Sequence, residues 1–170
     1  ILVFMLLAGT NFSLFHRYKT EGMGVFWASA EFRLYMLLFG GVTVIIATDM
    51  LFNSSHSFLD TLRYSSFQVA AIMTTTGFGT ADFEEWSTVS RTLLLILFFC
   101  GGMAGSTAGG MKLIRIMIIL KVVIHEIRIG FRPTLVAPIR LGENPVAENI
   151  VRGTLAYALI FMGTVLLGAL

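Results

Sequence analysis

The chain has 170 residues, 56% of them hydrophobic and 13% charged, with a net charge of +2. Its mean hydropathy is +0.83. Soluble domains carry about 25% charged residues, so this chain has too few to clothe a water-soluble surface and reads as a membrane protein. A single cysteine, Cys100, excludes an internal disulfide and a cysteine metal cluster. It sits in an apolar run and reads as an inert packed thiol. His16, His56 and His125 are too far apart to suggest a ligand set.

Residues 1 to about 15 read as the tail of an apolar helix. They have neither a basic leader nor a small-residue cleavage site, so they are not a signal peptide. The chain starts and ends inside apolar runs and is expected to be an internal piece of a longer protein. His16-Arg17-Tyr18-Lys19 reads as an interfacial anchor of basic and aromatic groups. Thr20 to Ala30, with Gly22 and Gly24, reads as a short loop. Leu34 to Phe52 is a second apolar stretch of 19 residues. At ~1.5 Å per residue it is about 28 Å long, close to the hydrocarbon thickness.

Ser57, with Asp60 three residues on, resembles a capping box and opens a helix expected to reach about Met73. Arg63, Ser65, Ser66 and Gln68 make that helix too polar to span, while residues 67–73 are apolar. This suits a re-entrant pore helix, whose negative dipole end at the membrane centre favours a cation. Irregular backbone at that depth is tolerated only where it is buried in protein or lines a water path.

Thr74-Thr75-Thr76-Gly77-Phe78-Gly79-Thr80 follows. Three threonines and two glycines offer carbonyls and hydroxyls with no charge. A potassium ion gives up its water shell only where oxygen dipoles replace it at similar energy. The order Thr75-Thr76-Gly77-Phe78-Gly79 resembles the Thr-Val-Gly-Tyr-Gly filter loop of potassium channels. Gly77 and Gly79 are expected to take positive φ. A turn or an edge strand has the same composition. Asp82, Glu84, Glu85 and Trp86 come next, either an acidic mouth that concentrates cations or a plain solvated loop.

A third apolar run starts at Thr92 and meets a ten-residue stretch, 101–110, that holds five glycines. Gly101, Gly105 and Gly109 are four apart, the small-xxx-small pattern of close helix packing. Against this, the adjacent pairs at 101–102 and 109–110, with Ser106-Thr107 between, disfavour a continuous helix. The preferred reading is a broken span whose polar-lined break is a place for a gate. Lys112, Arg115, Lys121, His125, Arg128, Arg132 and Arg140 follow, in a basic connector with Pro133 and Pro138. Lys112 and Arg115 either hold a closed state, repel cations, or snorkel to the interface. From Pro145 onward the chain is apolar again.

The stretch from Asp49 to Arg91 holds five acids and two bases, against ten bases and five acids elsewhere. The positive-inside rule puts the base-rich side in the cytoplasm and the filter mouth outside.

Several stretches resemble one family. FMLLAGTNFSL at 4–14, EFRLY at 31–35, TTTGFGTADFEEW at 74–86, GGMAGSTAGGMKLIR at 101–115 and RLGENPV at 140–146 are similar to the Trk-type potassium uptake proteins of bacteria, within the Trk/Ktr/HKT superfamily. The resemblance implies an all-α integral membrane fold of four helix–pore loop–helix repeats around a central pore. Residues 1–18 then end the second repeat and 19–30 form a cytoplasmic loop. The third repeat is 31–125, with a span at 31–52, a pore helix at 58–73, a filter at 74–80 and a broken span at 88–125. A cytoplasmic connector, 126–146, leads to the first helix of the fourth repeat at 147–170.

By the same resemblance, filter oxygens fall on Thr75, Thr76, Gly77, Phe78 and Gly79, with potassium held at Thr75, Thr76, Gly77 and Phe78. Gly77 matches the glycine found where potassium is preferred over sodium. The gate maps to Gly101, Gly102, Gly105, Ser106, Thr107, Gly109 and Gly110, with Lys112 just after. The implied activity is potassium uptake or symport in the bacterial inner membrane, with sodium or rubidium as alternative ions. The implied assembly is a homodimer in membrane lipid on cytosolic nucleotide-binding regulatory subunits, with the nucleotide on the partner only, no covalent cofactor and no nucleic acid.

Two rivals are a two-span subunit of a homotetrameric channel and a structural subunit whose glycines only pack helices. Apolar runs outside 31–125 argue against the first, and the second requires continuous helix through 101–110. No nucleophile–base pair, metal set or nucleotide loop suggests an enzyme.

Overall fold

The computed structural model describes residues 1–53, 57–131, 140–141 and 144–168. His56, Arg132, Pro133, Pro138 and the Gly142-Glu143 pair of the connector motif lie outside them. The described chain is all-helical apart from one two-residue antiparallel pairing, Arg140–Leu141 with Asn144–Pro145. Contacts divide it into two units, Ile1–Leu113 and Ile114–Leu170.

The first unit opens with α1 (Leu2–Ala8), α2 (Phe12–Glu21) and α3 (Gly24–Ala28). A single helix over residues 1–15 is therefore not what forms. Asn11 stops it: its side chain accepts from Ser13 N at 2.9 Å and starts α2 as an N-cap. The carbonyls that end α1 are also spoken for. Gly9 O accepts from Met103 N at 3.0 Å, and Ala8 O from Thr107 N at 3.2 Å. Close approach explains the glycine, since a Cβ on Gly9 would lie 2.9 Å from Thr74 Cγ2. Residues 24–28, expected as loop, form a short helix under an aromatic cluster. Phe26 packs against Phe15 at 5.7 Å and Phe32 at 5.2 Å between ring centroids.

α4 (Ala30–Asn53) has 24 residues and is long and apolar enough to cross a membrane. One side buries Tyr35, Ile46 and Met50, while Leu37, Val44 and Phe52 are exposed. α5 (Phe58–Met73) packs along it. Ser57 caps α5 by accepting from Asp60 N. Two buried hydroxyls of α5 are satisfied by nearby backbone, Thr61 Oγ1 donating to Ser57 O at 2.9 Å and Ser65 Oγ to Leu62 O at 3.2 Å, while the buried Gln68 Oε1 has no partner among the described residues. Buried hydroxyls paired in this way escape the cost of an unsatisfied polar group. Ala70 and Ala71, both fully buried, let Met5 of α1 approach α5 closely. Small residues at such a contact favour helix association in lipid, where the hydrophobic effect between helices is lost.

After a short 3-10 turn (Phe83–Glu85) comes α6 (Thr88–Phe98). Helix then stops until α7 (Leu113–Phe131). In the second unit α7 is followed by α8 (Glu148–Gly168), the other described helix that is apolar and long enough to span. There Arg115 stands 3.6 Å over the ring of Tyr157.

Candidate functional site

The site is built at the C-terminus of α5. Thr74 closes the helix, its hydroxyl donating to Ala70 O at 2.7 Å and its amide to the same oxygen at 2.9 Å. Thr76 N returns to Ala71 O at 3.0 Å. Beyond that the backbone runs without helix or strand to the turn at Phe83. Among the described residues, the carbonyl oxygens of Thr75, Thr76, Gly77, Phe78 and Gly79 accept no hydrogen bond, and these residues are exposed. Five successive carbonyls are thus left open to solvent or to an ion.

Two residues here have left-handed backbone, Thr75 with φ 55° and Gly77 with φ 70°. Gly79, expected to share that conformation, does not. Thr75 takes the left-handed position instead, and its side chain compensates. The Thr75 hydroxyl donates to Thr74 O at 2.7 Å and accepts from Gly109 N at 2.6 Å. Thr76 Oγ1 lies 3.3 Å from Thr74 Oγ1 and donates to Met5 Sδ at 3.2 Å.

Gly109 belongs to the second irregular segment, between α6 and α7. Its ends are stitched together, with Gly101 N donating to Met111 O at 2.8 Å and Leu113 N to Gly102 O at 3.2 Å. A Cβ on Gly101 would collide with the Gly109 carbonyl, so the neck requires glycine. Gly105 and Gly110 turn the loop with φ near 70°, at 69° and 68°. Continuous helix packing through 101–110 is thereby excluded.

The loop is held from several sides. Ala104 N donates to the buried Glu31 carboxylate at 2.7 Å. Phe12 N donates to Gly105 O at 3.1 Å, and Thr107 Oγ1 to Ala8 O at 3.1 Å. Lys112 points its ammonium back into the loop, donating to Ser106 O at 3.2 Å, to Ser106 Oγ at 3.3 Å and to Ala108 O. Bonds from a charged donor are about twice as strong as neutral ones. Ser106 Oγ in turn donates to Met103 O at 2.6 Å.

On the far side of the 74–80 segment, Thr80 lines a cavity of about 620 Å³ with Asp49, Asp82 and Glu85. Asp49 also accepts from the hydroxyls of Ser87 and Ser90 at the N-terminus of α6, which ties α4 to the start of that helix. Asp82 caps the following turn by accepting from Glu84 N at 2.9 Å. Among the described residues no group of three or more His, Cys, Asp or Glu side chains is arranged to hold a metal ion.

The candidate residues therefore meet in pairs: Thr75 touches Gly109, Lys112 touches Ser106, and Gly101 faces Gly109. Phe78 stands apart, 56% exposed. Sequence reasoning missed Glu31 as a holder of the 101–110 loop, Asn11 as the cap of α2 and Asp49 as the tie between α4 and α6. A charged or amide group within an apolar run is a signal for them, since such residues are costly in a membrane.

The described residues thus combine helices long and apolar enough to cross a membrane with irregular, carbonyl-rich interruptions, the frame of a membrane-spanning protein. The chain matches the family model of TrkH, the cation transport protein, over residues 1–168, and belongs to that family. It is 34% identical over 163 residues to the Trk system potassium uptake protein TrkH of Halomonas elongata, covering 93% of this chain and 34% of that protein. It is likewise 34% identical over 172 residues to the protein of the same name from Escherichia coli K12, covering 98% of this chain and 36% of that one. The crystal structure of the potassium transporter TrkH from Vibrio parahaemolyticus superposes with a TM-score of 0.84 at 32% identity, over 95% of this chain and 36% of that one. The chain spans about a third of the length of these relatives.

Proposed function

We propose that the full-length protein takes up potassium across the bacterial cytoplasmic membrane, and that residues 74–80 form one wall of its selectivity filter. The observation that carries this reading is the run of five unspent carbonyls, Thr75 to Gly79, at the C-terminal end of a short helix. The partial negative charge of that helix end favours a cation, and carbonyl oxygens replace the water that potassium sheds. The names of the relatives, potassium uptake proteins, point the same way.

In this reading ions enter from the outer face, past Asp49, Asp82 and Glu85, whose carboxylates raise the local cation concentration. They shed water along 75–79 and meet the loop at 101–110, which obstructs flow until it moves. Glu31 and Lys112 hold that loop in place. The third repeat then comprises 31–125, flanked by the end of the second and the start of the fourth. The working assembly is a homodimer on cytosolic nucleotide-binding subunits, with basic connectors on the cytoplasmic side.

The test is rubidium uptake into liposomes holding the full-length protein, with potassium or sodium as competitor. Competition by potassium far stronger than by sodium is the expected result. Equal competition reduces the claim to a non-selective cation path. No uptake, even with the 101–110 loop shortened, removes the transport reading.

A further inference from the structure

We propose that Thr75 and Gly109 form a latch that ties the conformation of the 74–80 segment to the position of the 101–110 loop. The inference rests on the reading of those segments as filter and gate, and adds a physical link between them. It makes Thr75 a positioning residue as well as an oxygen donor.

Three observations converge on this contact. Thr75 is, among the described residues, the non-glycine residue with left-handed backbone, at φ 55°. A β-branched residue holds that conformation only where its surroundings enforce it. The enforcing contacts are visible: the hydroxyl donates to Thr74 O at 2.7 Å while accepting Gly109 N at 2.6 Å. One side of this arrangement is local to the 74–80 segment; the other belongs to the loop. Finally, Gly109 lies directly against the Thr75 side chain, where a Cβ would be in ordinary van der Waals contact with Thr75 Oγ1 at 3.4 Å.

The consequence follows from the backbone. When the loop withdraws, Gly109 N leaves the Thr75 hydroxyl, and one of the contacts that hold φ positive is gone. Thr75 relaxes, and the carbonyls on either side of it turn with the chain. Loop withdrawal thus alters cation binding at the segment. By linkage, a cation bound there alters the cost of loop withdrawal by the same factor. Ion occupancy and gate position become one coupled equilibrium.

The experiment uses the full-length protein in liposomes and reads one ratio: resting rubidium uptake with the loop intact, divided by uptake with residues 103–108 removed. Each side chain at 75 is measured in both backgrounds, so a change in conduction alone cancels. The parent gives a low ratio. Thr75→Val keeps the shape and removes the hydroxyl, and its ratio rises at least about fivefold, the lower end of common couplings. Thr75→Ser keeps the hydroxyl, and its ratio stays near the parent's. A ratio for Thr75→Val as low as the parent's overturns the latch and leaves the gate reading intact. A parent ratio near one removes the gate reading itself, and the latch with it. If Thr75→Val carries no uptake in either background, Thr75→Ala is read instead. It removes the hydroxyl that accepts from Gly109 N without adding bulk; a raised ratio supports the latch and a parental ratio overturns it.

Discussion

Residues 74–80 and 101–112 are both irregular, both rich in glycine and threonine or serine, and each directly follows a helix. Their backbones are used in opposite ways. The first leaves five carbonyls unspent. The second, at 101–110, is bonded by Ala8, Gly9, Phe12, Glu31 and Lys112, and five of its ten carbonyls, those of Gly102, Met103, Gly105, Ser106 and Ala108, accept hydrogen bonds. Composition alone does not separate a segment that offers oxygen atoms to an ion from one that is tied down. An unbroken run of five free acceptors, which 101–110 lacks, does. A filter needs free acceptors, and a gate needs a held position with a modest cost of release.

The comparison can be broken most severely at the neck of the loop. Gly101→Leu drives a side chain into the Gly109 carbonyl, a backbone atom that cannot step aside. We expect a loss above about 4 kcal/mol, in the range of severe core damage, read as loss of monodisperse full-length protein on size exclusion. Recovery of folded protein with parental melting would show that the loop is not built as described.

Next in size is Glu31→Ala. It strips the carboxylate from Ala104 N and leaves a half-buried donor unpaired. That costs about 1–3 kcal/mol, so the melting temperature of the full-length protein falls. Resting rubidium uptake rises because the loop is released. A rise in uptake without any fall in melting temperature would mean that Glu31 acts on the ion and not on the loop.

Gly77→Ser probes the other segment. No atom lies within 4 Å of a Cβ at this position, so the cost is conformational, from φ 70°. Left-handed backbone costs an L-residue roughly 1–2 kcal/mol. Stability falls little, while potassium preference over sodium drops in the competition assay. The smallest effect belongs to Gly79→Ala. That position has neither positive φ nor a neighbour within 4 Å, so melting and selectivity change less than in Gly77→Ser. Equal effects at the two positions would remove the special geometry assigned to Gly77.

Much of this was legible in the chain itself. The low charge and the apolar runs announce an all-helical membrane protein, and Ser57 with Asp60 marks where α5 begins. The oxygen-rich string 74–80 is visible because its residues are contiguous. Long-range pairing is what stays hidden. The apolar run 1–15 looks like one helix, since nothing local reveals that the loop takes the Ala8 and Gly9 carbonyls. Asn11 as an N-cap was the available local hint. At 75–79, glycine identity correctly suggests positive φ at Gly77, but not at Thr75, whose hydroxyl accepts from the distant Gly109 N and is singled out by no local rule. Lys112 reads as an interfacial cation by position, yet its reach covers the loop it follows.

The most direct measurement is anomalous scattering from rubidium in crystals of the full-length protein. The account predicts a rubidium peak coordinated by the carbonyl oxygens of residues 75–79. A protein that takes up rubidium in liposomes but shows no ion at those carbonyls would contradict it.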